Sequence, residues 1–134
     1  MRPLALLLVP LVLVAAGCGA RSSAPYTAAG TAKCLTSKGF TGVTTSPAKV
    51  GFIAGFADNG GIRGTAPGGN VLTIAFAGDT PGAAQTEQAF RAHATPFYKR
   101  HMHDIMETQR NAVLVWTTAP TQAQIDTALA CLGS

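Results

Sequence analysis

Residues 71–81 read VLTIAFAGDTP, and this stretch decides the fold because it joins the clearest strand of the chain to the start of a helix. Residues 71–77 alternate so that both faces are mostly apolar, as in a central strand. Thr80 and Pro81 then supply a helix cap and a proline at the first helical position. The segment therefore predicts a strand near the centre of a sheet, followed directly by a helix.

The flanking sequence extends this pattern in both directions. Helices are expected over residues 26–38, 81–94, 95–106 and from 121 onward, and strands over 43–45, 50–56, 62–65, 71–77 and 111–118. The helix after residue 80 would form a right-handed crossover to the strand that follows it. This order predicts an α+β fold, in which a small, mostly antiparallel sheet of three to five strands carries helices on one face.

Two details of these elements carry expectations of their own. Thr121 and Gln124 form a capping box that opens the last helix. Thr95-Pro96 predicts a kink or a break in the long helical region, because proline inside a helix costs ~3 kcal/mol. If each helical residue turns the chain by 100°, a set of mostly apolar side chains lies within about 60° of the direction of Phe90 and forms a stripe on one helix face. The other members of this stripe are Ala83, Ala94, Phe97, His101 and Ile105.

Length and composition indicate one folded domain. The chain has 134 residues, of which 47% are hydrophobic and 12% charged, too apolar and too weakly charged for a disordered chain. The net charge is +4, but the basic residues are scattered. Nucleic-acid-binding surfaces usually show clustered lysine and arginine, so the composition argues against a nucleic-acid partner.

The first seventeen residues have the organisation of an export signal. Arg2 gives a positive start, and residues 4–14 follow without a charge. A helix needs ~20 apolar residues to cross a bilayer, whereas a run of this length is typical of the apolar region of a signal peptide. Small residues lead directly to Cys18.

Ala15-Ala16-Gly17-Cys18 resembles the lipobox of bacterial lipoprotein precursors, and the resemblance covers roughly the first eighteen residues. The family most often has leucine three places before the cysteine, where this chain has Ala15. The resemblance implies cleavage before Cys18, a diacylglyceryl thioether on its sulfur, and often an acyl chain such as palmitate on the new amine.

This interpretation divides the chain into three parts: a leader over residues 1–17, a lipidated tether over 18–25, and a single α+β domain over 26–134. The mature protein is then expected on the cell membrane, held by lipid on the exported side. An ordinary secretory leader, cut after small residues and releasing a soluble protein, is the alternative.

Cysteine counting supports lipidation independently. An exported chain with three cysteines leaves one unpaired, but lipid on Cys18 leaves Cys34 and Cys131 as an even pair. An oxidising compartment favours a disulfide between them, which would join the first and last helices. Two buried free thiols are the alternative. The domain resembles small secreted domains that have a cysteine near each end.

The densest group of titratable residues lies in the long helical region. His93, His101, His103 and Glu107 are candidate metal ligands, because imidazole binds zinc, copper or nickel well. His103 and Glu107 share a helix face, whereas His101 diverges from His103. Structural zinc usually needs four ligands. The alternative is that His101 packs against the sheet and that His103 and Glu107 form a solvated pair, and no cofactor is predicted.

Patterns for catalysis are missing from the sequence. There is no Gly-x-Ser-x-Gly motif, and a Cys34 held in a disulfide cannot act as a nucleophile. The six acidic residues are spread along the chain, so no carboxylate pair for acid–base chemistry can be named. The sequence therefore predicts a protein that is not an enzyme.

Tyr98, Met102 and Met106 lie beside the apolar stripe and are a candidate surface for a protein partner in the envelope. Completion of the core is the alternative role for these side chains. Together these observations predict a membrane-anchored lipoprotein with a non-catalytic binding or envelope-assembly role. The alternative function is metal binding through the histidine region.

Overall fold

The computed structural model describes residues 24–134. The leader and the predicted lipidation site, Cys18, lie outside the described residues, as does most of the tether. Within residues 24–134, no helix combines the length and the apolar character needed to span a membrane.

The described residues form helices and strands whose bounds are, in chain order, α1 (Ala28–Ser37), β1 (Thr41–Thr44), α2 (Pro47–Val50), α3 (Phe52–Gly55), β2 (Gly61–Thr65), β3 (Val71–Phe76), α4 (Thr80–His93), α5 (Pro96–Ile105), β4 (Met106–Gln109), β5 (Ala112–Trp116) and α6 (Gln122–Cys131). The strands form one five-stranded sheet in the order β1-β2-β3-β5-β4, and neighbouring strands are antiparallel. The predicted α+β class with a mostly antiparallel sheet is confirmed. The strand predicted over residues 71–77 is β3, the central strand of the sheet.

The predicted crossover from β3 to β5 is wrong. These strands are adjacent and antiparallel, with Ile74 opposite Leu114. The predicted helix ended near residue 106, but residues 106–109 form β4 and pair with β5, and this pairing reverses the chain. Arg110, with φ 54°, makes the tight turn between them. β4 consequently runs parallel to β3, and the helical crossover connects those two strands.

The strand predicted over residues 50–56 is also wrong. The segment forms the single-turn helices α2 and α3, separated by Gly51 with φ 97°. Val50 and Ala54 are buried while Phe52 and Phe56 are exposed. Residues four apart share a helix face as well as a strand face, so the alternation in the sequence fits either structure.

Helices cover both faces of the sheet rather than one. On the first face, α1, α5 and α6 pack against the main core, whose largest buried members are Leu35, Ile62, Leu72, Ile74, Phe76, Leu114 and Trp116. On the second face, α2, α3 and α4 pack against Ala75 and Val113. The physical reason lies in the central strands, which are apolar on both faces and must be covered on both.

The disulfide predicted between the first and last helices is confirmed. Cys34 and Cys131 are bonded, with Cα atoms 5.4 Å apart, so the alternative of two free thiols does not apply. The capping box is also present, because Thr121 Oγ1 accepts from the Gln124 backbone N–H and the Gln124 side chain accepts from the Thr121 N–H.

The break predicted near Pro96 is confirmed, and it changes which residues of α5 are buried. Ala94 has an extended backbone, and α5 begins anew at Pro96. Met102 and Ile105 are each 3% exposed, whereas Phe97 is 59% exposed. The continuous apolar stripe was therefore wrong for Phe97 and His101, because a new helix does not keep the rotational phase of the previous one.

Candidate functional site

An open cleft starts on the second face of the sheet and continues past the end of β5 to side chains that pack on the first face. Its floor is a row of side chains in register across three strands, with Arg63 opposite Thr73 and Thr73 opposite Val115. One wall is the α2–α3 corner, including Ile53, and the other is the last turn of α4. The floor stays open because α3 and α4 cover the sheet at Ala75 and Val113 but not along this row.

The cleft has two chambers that share Ile53, Phe90, His93 and Val115. The Arg63 chamber, of about 460 Å³, is lined by Val50, Gly51, Phe52, Ile53, Ala54, Arg63, Thr73, Phe90, His93 and Val115. The Trp116 chamber, of about 250 Å³, is lined by Ile53, Phe90, His93, Ala94, Thr95, Tyr98, Met102, Ile105, Val115, Trp116 and Thr117. We call the two together the sheet cleft.

A charged contact holds the α4 wall in place. The Arg91 guanidinium donates two hydrogen bonds to Glu87 Oε1, at 3.1 and 2.8 Å, and Thr108 Oγ1 on β4 donates to Glu87 Oε2 at 3.0 Å. The Arg91 and Thr108 donors hold the pKa of Glu87 below its ordinary value, although partial burial opposes them. This contact ties α4 to the sheet and so positions Phe90 and His93 above the floor.

The candidate metal ligands are not brought together. His93 lines the sheet cleft, while His101 and His103 both approach Asp104, at 3.8 and 3.1 Å. Glu107 belongs to β4, so the expectation that it shares a helix face with His103 is wrong. In residues 24–134, no group of three or more His, Cys, Asp or Glu side chains is placed to hold one metal ion.

The three candidate partner residues pack against the core. Met102 is buried, and Tyr98 and Met106 are partly buried against the same cluster. Tyr98 and Met102 also line the Trp116 chamber. Two of the three therefore belong to the wall of the sheet cleft rather than to a free apolar edge.

An exposed aromatic pair beside the cleft was not predicted from the sequence. Phe52 and Phe56 are 77% and 78% exposed, with ring centroids 5.0 Å apart. Their spacing of four residues fits a helix or a strand, so the glycine that precedes them, Gly51, was the one available signal of a break in the strand pattern. Because they were assigned to a strand face, the α2–α3 wall of the cleft could not be foreseen.

A separate set of contacts determines where the chain enters the domain. The buried Asn111 side chain accepts a hydrogen bond from the Tyr26 N–H at 2.8 Å and donates to the Tyr26 carbonyl at 2.9 Å. The Arg110 guanidinium lies 4.4 Å from the Tyr26 ring centroid and donates to the Ala24 carbonyl at 2.9 Å. The segment that follows the predicted tether is thus held at the β4–β5 turn.

Comparison with family models, with curated proteins and with solved structures finds no match for this chain. The chemistry of the sheet cleft is therefore the basis for inferring function. Ligand pockets are typically concave, mostly apolar and of roughly 300–1,000 Å³, with a few polar groups that orient the ligand. The sheet cleft matches this description, and its polar groups include the Arg63 guanidinium, the His93 imidazole and the Thr73 hydroxyl.

Proposed function

We propose that this protein is a lipid-anchored binding protein on the exported side of the cell membrane, and that its sheet cleft holds a small ligand without transforming it. The observation that carries the proposal is the cleft itself, a concave surface with mostly apolar walls and with the polar residues Arg63 and Thr73 at one end of its floor. Such a surface gains free energy by burying apolar ligand area, at about 25 cal/mol per Å².

The attachment of the tether supports this role. Cys18 and Ala24 are six positions apart, a distance of at most about 20 Å when the chain is extended, so lipid on Cys18 would keep the domain close to the bilayer. Arg110 and Asn111 hold the incoming chain at one end of β5, whereas Trp116 and Thr117 lie at the other end. The Trp116 chamber would then lie away from the membrane, accessible to ligands from the external phase.

The anchoring half of the proposal is tested by mass and location. We expect the intact mass of the mature protein to correspond to a chain that starts at Cys18 and carries diacylglyceryl, and the protein to sediment with membranes. Cys18→Ala should abolish both the added mass and sedimentation with membranes, while the matched Cys34→Ala variant should remain membrane-bound. An unmodified Cys18 in a soluble wild-type protein would contradict the anchor.

The binding half is tested with a neutral apolar probe, 8-bromooctan-1-ol, on full-length protein in dodecyl maltoside. Trp116 is the only tryptophan of the chain and lines the cleft, and bromine quenches tryptophan fluorescence on contact. We expect saturable quenching in the wild type, and its loss in Val115→Phe, which fills the floor position that both chambers share. Thr127→Phe, on α6, is the control that should still bind. Non-saturable quenching equal in all three proteins would rule out binding in the cleft.

A further inference from the structure

We infer that the ligand of the sheet cleft is a single-chain amphipathic carboxylate of medium length, with its carboxylate at Arg63 and its apolar chain in the Trp116 chamber. This inference rests on the proposed function and specifies the ligand class. The observation behind it is the different chemistry of the two chambers. The Arg63 chamber has polar side chains in its lining, namely Arg63, Thr73 and His93. The Trp116 chamber is lined mainly by large apolar side chains, which include Tyr98, Met102, Ile105 and Trp116.

The charge on the cleft selects an anion. Among the described residues that line the two chambers there is no aspartate or glutamate. Arg63 is exposed, and within residues 24–134 no carboxylate lies within ion-pair distance of its guanidinium. The planar guanidinium binds a carboxylate through two parallel hydrogen bonds. Thr73, directly opposite on the next strand, places a hydroxyl beside it.

The register of the sheet determines how far the ligand's carboxylate lies from the start of its apolar chain. Arg63 and Val115 lie two strand spacings apart, on either side of Thr73, which is about 10 Å. Val115 is shared by both chambers, and the apolar chamber extends beyond it to Trp116. A ligand that binds Arg63 and also occupies the Trp116 chamber therefore needs an anionic group and an apolar part that begins within about 10 Å of that group.

The volume of the Trp116 chamber limits the apolar part. A methylene group is close in size to a water molecule, whose share of liquid volume is about 30 Å³. The chamber of about 250 Å³ therefore accommodates on the order of eight methylene groups. This volume matches one medium-length chain.

The test compares 8-bromooctanoate with its neutral analogue, 8-bromooctan-1-ol, by Trp116 quenching in full-length protein at neutral pH. We expect the wild type to bind the carboxylate up to about fivefold more tightly, which is the gain typical of an ion pair with an exposed guanidinium. Arg63→Gln should remove this preference and leave alcohol binding unchanged. Lys49→Gln, on α2 but outside the cleft lining, is the matched control and should keep the preference.

The possible results separate this inference from the proposed function. Equal affinity for acid and alcohol in the wild type, or an unchanged acid preference in Arg63→Gln, would overturn the inference while the binding role stands. Saturable quenching by vesicles of brominated phosphatidylglycerol, without quenching by 8-bromooctanoate, would overturn it in favour of a bilayer lipid. Failure of both soluble probes to quench would reject the cleft as a binding site altogether.

Discussion

At the residue scale, two buried asparagines hold the segments that flank β5. Asn111 is 2% exposed and binds Tyr26 twice and the Ala77 carbonyl once. Asn70 is 8% exposed and bonds the backbone N–H and carbonyl of Thr118 and the hydroxyl of Thr117. Buried polar groups must be hydrogen-bonded to be tolerated, so each asparagine specifies the path of the chain that it contacts.

Replacing Asn111 by alanine should lower the free energy of unfolding by about 1–3 kcal/mol, because the backbone N–H and carbonyl of Tyr26 would lose the side-chain partner that they have in the wild type. Urea unfolding followed by circular dichroism measures the change. Gln122→Ala is a suitable control, because its hydrogen bond with Asp126 is exposed on α6 and such a pair contributes only about 0.2–0.5 kcal/mol. Equal destabilisation by both variants would mean that the Asn111 contacts do not stabilise the fold.

At the element scale, the α2–α3 corner forms a wall of the proposed site. Its course depends on Gly51, whose φ of 97° and ψ of 161° belong to a region that is essentially restricted to glycine. Gly55 permits the close packing of the two turns, since a Cβ there would lie 2.7 Å from the Pro47 carbonyl oxygen. The corner is thus built by backbone conformations that a hydrophobicity pattern does not reveal.

Gly51→Ala should destabilise the protein by about 1–3 kcal/mol through backbone strain alone, since no atom lies within 4 Å of the added Cβ. It should also weaken 8-bromooctan-1-ol binding, because Phe52 and Ile53 would be displaced from the wall. Gly42→Ala is the matched control, with equally open space but φ 60°, near values that other residues adopt. If Gly42→Ala reduced stability and probe binding as much as Gly51→Ala, the role assigned to the corner would be refuted.

At the scale of the whole molecule, the disulfide and the sheet together close the domain. The Cys34–Cys131 bond joins residues 97 positions apart, so nearly the entire described chain lies within one covalent loop. The strands bring residues from distant parts of that loop into one surface, as the row Arg63, Thr73 and Val115 shows. The cleft is consequently a property of the assembled sheet and not of any single segment.

The double variant Cys34→Ala/Cys131→Ala should lose about 4 kcal/mol of unfolding free energy, because the chain-entropy model assigns up to about 4.7 kcal/mol to a loop of 100 residues. Urea unfolding of the oxidised wild type, the reduced wild type and the double variant measures this effect. The reduced wild type should fall near the double variant, because both lack the cross-link. A loss of less than about 1 kcal/mol on reduction would contradict a stabilising role for the bridge.

Much of the fold was predictable because the sequence patterns that indicate its strands and helices each lie within a short stretch of the chain. The apolar alternation over residues 71–77 identified β3, Thr121 and Gln124 identified the start of α6, and Pro96 identified the break between two helices. Each feature depends on backbone groups within a few residues. In contrast, β4 was missed because four residues at the end of a helical pattern carry little periodic information, and their strand conformation depends on pairing with β5.

The sequence by itself determined the α+β class and the central strand, because periodicity and helix caps are properties of the chain read in order. It predicted the pairing of Cys34 with Cys131 only on the assumption that Cys18 carries lipid, and the structure decided between the bond and two free thiols. The predicted anchor at Cys18 also comes from the sequence. Only the tertiary structure decided the strand order, the placement of helices on both faces and the sheet cleft. The physical reason is that strand pairing and packing join residues far apart in the chain, so Arg63, Phe90 and Val115 meet only when the sheet is complete.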